Sequence, residues 1–147
     1  MNSPPSIEGR CACGAITVRI QGPLGALTFC HCRTCRKATS APYLAALPVA
    51  AAAFELNDPQ ALRCGYRSSP DKVRYFCARC GSPLYSQRDG ASEVRVRAGL
   101  LELPATVERI GHIFCADSAA WDVARDGLPR FDGFEPGRRP SSGEGFR

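Results

Sequence analysis

Nine cysteines in 147 residues, seven of them in three tight groups, constrain this chain more than any other feature. The groups read Cys11-Ala-Cys13-Gly14, Cys30-His-Cys32-Arg-Thr-Cys35 and Cys77-Ala-Arg-Cys80-Gly81, while Cys64 and Cys115 stand apart. An odd count leaves a full disulfide framework with one thiol over. The opening MNSPPSIEGR lacks the apolar run of a signal peptide. The stretch AALPVAAAAF is broken by Pro48 and too short to span a bilayer. The expectation is a cytoplasmic protein without membrane contact, in a reducing compartment where clustered cysteines hold metal.

Zn²⁺ closes a structural site with four ligands, and neither a CxC nor a CxxC pair supplies four alone. Cys11 and Cys13 therefore pair naturally with Cys77 and Cys80. Both pairs precede a glycine, which permits the tight turn that aims backbone N–H groups at sulfur. The long gap between the pairs places the site inside a larger fold rather than in a free-standing finger. Cys30, Cys32 and Cys35 remain as three thiolates, the ligand number of a catalytic zinc with one open position. A substrate thiol could enter there and be deprotonated. His31, His112, Cys64 or Cys115 could instead close this second site. In extended backbone, His31 points away from its two cysteine neighbours, toward a supporting or substrate-facing role. Cys64 and Cys115 read as ordinary buried thiols.

Around these groups the chain alternates in period two. Ile16, Val18 and Ile20 face one way against Thr17 and Arg19, and Val94, Val96 and Ala98 oppose Arg95 and Arg97. Many short strands separated by turn signals predict a mainly β domain over residues 10–135. Residues 1–9 read as a flexible arm and 136–147 as a disordered tail carrying Arg138 and Arg139. SAAWDVA (118–124) reads as a short helix with Trp121 a core aromatic. The formal net charge is +5. Seven thiolates on two Zn²⁺ would lower it to about +2, so part of the basic excess offsets the sites. Arg33, Arg36 and Lys37 could attract a carboxylate-bearing substrate.

The pieces CACGAI (11–16), CHCRTCRK (30–37), FCARCGSPLY (76–85), AGLLE (98–102) and HIFCADSAAWDVARDGLPRF (112–131), in this order, resemble the glutathione-dependent formaldehyde-activating enzyme and centromere protein V family. The resemblance implies a β-tent fold, small antiparallel sheets around a structural zinc on Cys11, Cys13, Cys77 and Cys80. It implies a second zinc on Cys30, Cys32 and Cys35. The implied activity is that of a carbon–sulfur lyase, joining glutathione and formaldehyde into S-hydroxymethylglutathione. Cys115 departs from the family's commonest form, which has another residue there. The competing reading is a non-catalytic, zinc-stabilised module that binds glutathione or nucleic acid. Its weakness for nucleic acid is that the basic residues form no aromatic-rich stripe.

Overall fold

The computed structural model describes residues 5–123 and 125–138. Its strands are β1 Ser6–Arg10, β2 Thr17–Gln21, β3 Leu27–Cys30, β4 Leu44–Ala50, β5 Phe54–Asn57, β6 Arg63–Ser69, β7 Lys72–Cys77, β8 Pro83–Arg88, β9 Glu93–Arg97 and β10 Arg109–Ile113. One α-helix, α1, spans Arg33–Thr39. Three strands form a small sheet in the order β1-β2-β5, and seven form a larger one in the order β10-β3-β4-β9-β8-β7-β6. Every pairing is antiparallel except that of β10 with β3. The mainly β class and its small antiparallel sheets are as the sequence predicts.

Alternation in the strands decides where the core lies. Ile16, Val18 and Ile20 pack against Leu47, Val49, Val94 and Val96 in one buried cluster that also contains Cys11 and Cys77. Burying each such side chain stabilises the fold by about 1.5–3 kcal/mol. The first cysteine pair is thus fastened to the core itself. On the other face of β4, Leu44 and Ala46 pack with Cys35, and Cys30 and Cys32 adjoin them. The two sulfur groups therefore lie on opposite sides of the larger sheet's hydrophobic layer.

Several expectations change. Ser6–Arg10 is not a loose arm but a strand, paired in register with β2 from Ser6↔Gln21 to Arg10↔Thr17. Of the expected tail, Arg138 is engaged rather than solvated: it donates to Glu135 Oε1 at 2.8 Å and to Thr28 Oγ1 at 3.4 Å. Residues 139–147, including Arg139, lie outside the described residues, as do 1–4. Residues 118–123 are turn and irregular backbone instead of helix. This segment turns Ala119 and the Asp122 carboxylate inward and leaves Trp121 63% exposed, so Trp121 is not a core aromatic. Cys64 is exposed because β6 is the sheet's edge strand, and Cys115 is only partly buried. No helix among the described residues is long and apolar enough to cross a membrane.

Candidate metal centres

All nine cysteines carry free thiols. The sulfurs of Cys11, Cys13, Cys77 and Cys80 lie within 4.8 Å of one another. Cys11 and Cys13 are 3.5 Å apart, and Cys13 and Cys77 are 3.8 Å apart. Four sulfurs held about 2.3 Å from a tetrahedral zinc would be separated by about 3.8 Å, so this donor set fits the ion. The turns that build it are twins. Gly14 and Gly81 both adopt φ +76°, and each donates its N–H back to the first cysteine of its pair, at 2.9 and 2.7 Å. A side chain is disfavoured at that φ. Ser82 joins the two turns: its Oγ accepts from the Ala12 N–H at 2.9 Å and lies 3.2 Å from Cys80 Sγ. Hydrogen bonds from Ser82 bring the Cys80 thiol down to about 5, ready to serve as a thiolate ligand.

The sulfurs of Cys30, Cys32 and Cys35 likewise lie within 4.8 Å of one another. Cys30 ends β3, Cys32 caps α1 and Cys35 sits in its first turn. Cys32 Sγ accepts from the Cys35 N–H at 3.4 Å, satisfying one donor that a helix start leaves unpaired. Bonds from Cys30 and Cys32, together with the Arg74 guanidinium, hold the Cys35 thiol well below its usual range. Arg74 Nη2 donates to Cys35 Sγ at 3.5 Å. Among the described residues no fourth His, Cys, Asp or Glu joins this group. His31, His112, Cys64 and Cys115, which could have closed it, do not.

His31 points away from the sulfurs, as extended backbone requires. It is fully buried and does not line the cavity beside the three cysteines. Its Nε2 lies 2.8 Å from His112 Nδ1, and His112 Nε2 lies 2.9 Å from Asp126 Oδ2. The Asp126 carboxylate accepts from His112 Nε2, and a second hydrogen bond links the two rings, its direction set by the tautomer. The other nitrogen of His31 lies 3.5 Å from Asp122 Oδ2, which is also 3.5 Å from Arg130 Nη2. Burial pushes the His31 imidazole below its usual range. The pair ties the Cys30–Cys32 backbone to β10, Asp122 and Asp126. Sequence spacing gave no sign of it.

A cavity of about 840 Å³ opens beside the three cysteines. That volume suits a small-molecule ligand. Arg33 lines it, whereas Arg36 and Lys37 do not. Most of its cations come from the larger sheet: Lys72, Arg74, Arg88, Arg95 and Arg97, with Arg138 at the rim. The alternation of β9 separated Arg95 and Arg97 from the valines but did not reveal that their face is covered. Arg97 is only 7% exposed and Arg74 6%.

Comparison with known proteins agrees with this architecture. The family model described as glutathione-dependent formaldehyde-activating enzyme matches residues 6–117. An uncharacterized lyase of Schizosaccharomyces pombe is 35% identical over 81 residues, which are 55% of this chain and 57% of that protein. The chain thus spans little more than half the length of that relative. A crystal structure of a Rhodobacter sphaeroides protein superposes with a TM-score of 0.58 at 21% identity, covering 71% of this chain and 98% of that one. It shows a shared fold.

Proposed function

The chain belongs to the glutathione-dependent formaldehyde-activating enzyme family, and from that premise we propose that it is a cytoplasmic, zinc-dependent carbon–sulfur lyase acting on adducts of small acidic thiols with aldehydes, such as glutathione with formaldehyde. Cys11, Cys13, Cys77 and Cys80 would hold a structural zinc, and Cys30, Cys32 and Cys35 a second one with an open position. When bound, that second ion would lower the pKa of a substrate thiol and supply thiolate at neutral pH. Cysteines grouped at metal-ligand spacing fit a reducing compartment.

The chain's own residues have definable parts in this reaction. Arg74 and the start of α1 offset negative charge on the three sulfurs. The His31–His112 pair fixes the backbone that carries Cys30 and Cys32. Arg33 and the cations of the sheet would orient the substrate's carboxylates. In the forward direction the thiol sulfur bonds to the aldehyde carbon and the carbonyl oxygen takes up the thiol proton, so thiol and aldehyde combine with no other product.

The observation that carries the reading is the three-cysteine group beside a cation-lined cavity with no fourth ligand among the described residues. Thiols add to formaldehyde unaided, so the test is rate rather than product. Exchange NMR on mixtures of glutathione and formaldehyde should show acceleration by the wild type. Cys32→Ser should abolish it while the Cys11–Cys80 site keeps its metal. Exchange no faster than in buffer, or full acceleration by Cys32→Ser, overturns the proposal.

A further inference from the structure

The floor of the cavity carries more positive charge than the three sulfurs require. Three thiolates on a divalent ion leave one negative charge, and Arg74 already donates to Cys35. Lys72 and Arg97 are surplus. Three nearby carboxylates pair with other cations: Asp71 with Arg88 at 2.7 Å, Glu93 with Arg95 at 3.9 Å and Glu135 with Arg138 at 2.8 Å; Asp117 also lines the cavity, and no ion pair joins it to Lys72 or Arg97 among the described residues. Among the described residues Arg97 donates to Ser86 Oγ and to the Arg95 carbonyl, both at 3.3 Å. Arg97 Nε and Arg74 Nη1 are buried without partners among the described residues. Burial pushes the Lys72 ammonium down to about 7, and the neighbouring Arg74 charge adds to the effect. Unpaired buried charge is costly, and an anion bound between these groups would offset that cost.

The neighbours have the chemistry of an oxyanion seat. Ser68 and Ser86 are each 1% exposed. Each hydroxyl accepts from an arginine, Ser68 from Arg74 at 3.0 Å and Ser86 from Arg97, which leaves its own hydrogen to donate. Ser86 lies opposite Arg74 on one side and Arg95 on the other, so these groups form a row across β7, β8 and β9. Planar guanidinium forks and hydroxyl donors recognise carboxylate or phosphate oxygens.

We propose that Lys72, Arg74 and Arg97, with Ser68 and Ser86, form an oxyanion subsite that takes a carboxylate or phosphate group of the substrate while its sulfur lies at Cys30, Cys32 and Cys35. The substrate half of this statement rests on the function proposed above, whereas the subsite does not. It makes acidic thiols better substrates than neutral ones.

The test is calorimetric titration of the zinc-loaded full chain with inorganic phosphate, for the wild type, Lys72→Met and Arg97→Met. Metal content and thermal unfolding verify that each variant is folded. Each substitution should weaken phosphate binding about tenfold or more, and should shrink the rate preference for glutathione over 2-mercaptoethanol. No phosphate binding by the wild type, or equal binding by all three proteins, overturns the subsite. Phosphate binding that needs both side chains, with an unchanged thiol preference in the variants, supports the subsite but overturns its link to the substrate. Phosphate binding that needs both side chains in a protein without thiol–aldehyde acceleration overturns the proposed function and leaves the subsite standing.

Discussion

Replacing Arg97 by methionine should make the free protein more stable, not less. Arg97 is 7% exposed and has no carboxylate partner among the described residues. Burial pushes its guanidinium down to about 10, from an ordinary value above 12. At about 1.4 kcal/mol for each tenfold loss of proton affinity, the charge costs the folded state about 3 kcal/mol. The sign follows from linkage. Below pH 10 the side chain is charged in both states, so the whole cost falls on the fold, and it is relieved only as pH rises past 10. Methionine has a similar length and fills irregular space. It forfeits the bonds to Ser86 and the Arg95 carbonyl, worth about 1 kcal/mol each. The net gain is about 1 kcal/mol, a rise of about 2–5 °C in Tm for a domain of this size. Thermal unfolding at pH 7, at equal zinc content and in a buffer free of phosphate, measures it. A fall of several degrees would refute the reasoning, because it would mean that the protein itself neutralises Arg97. The gain should disappear when saturating phosphate is added to both proteins, since a tenfold tighter site stabilises the wild type by about 1.4 kcal/mol more.

Two glycine substitutions should show what crowding adds to backbone strain, since Gly81 and Gly111 both have positive φ, +76° and +142°. Gly81→Ala keeps φ at +76° with nothing within 4 Å of the new Cβ and should cost about 1–2 kcal/mol. Gly111→Ala would place a Cβ 2.4 Å from the Pro129 carbonyl oxygen, which the His112 N–H also uses at 2.8 Å. It should cost about 3 kcal/mol or more, and chemical denaturation ranks the two. Lys72 should impose a pH dependence. Burial first, then the charges of Arg74, Arg97 and Arg88, lower its affinity for a proton to about 7, opposed by Cys35. Between pH 7 and about 10 the unfolded chain holds a proton that the folded one has lost, so stability should rise with pH relative to Lys72→Met. Parallel pH profiles for the two proteins would rule this out.

The sulfur groups were legible in the sequence because their cysteines come in clusters only a few residues long, and a CxC or CxxC followed by glycine announces its own turn. Strand alternation was legible for the same local reason: β7 runs from Lys72 to Cys77, the span its pattern predicts. Period two names two faces, however, and says nothing about what covers each. Arg74 and Arg97 therefore read as solvent-facing in any strand-level view, yet they floor a cavity, because Cys35 and the segment around Phe134 and Arg138 close over the second face of the sheet. The His31–His112 pair joins residues far apart in the chain through the parallel β3–β10 pairing, and no local signal encodes a parallel neighbour. Trp121 misled because its tally of apolar surface ignored Asp122, whose carboxylate is the group that the segment turns inward.

Two unequal sulfur groups, one of four cysteines and one of three, underlie the proposed chemistry. Zinc-edge X-ray absorption on the fully loaded protein tests this most directly. It should report about 3.5 sulfur neighbours per zinc near 2.3 Å, with the remainder light atoms, rising to about 4 once a chelator has removed the less enclosed ion. Two zincs per chain with four sulfurs each would contradict it.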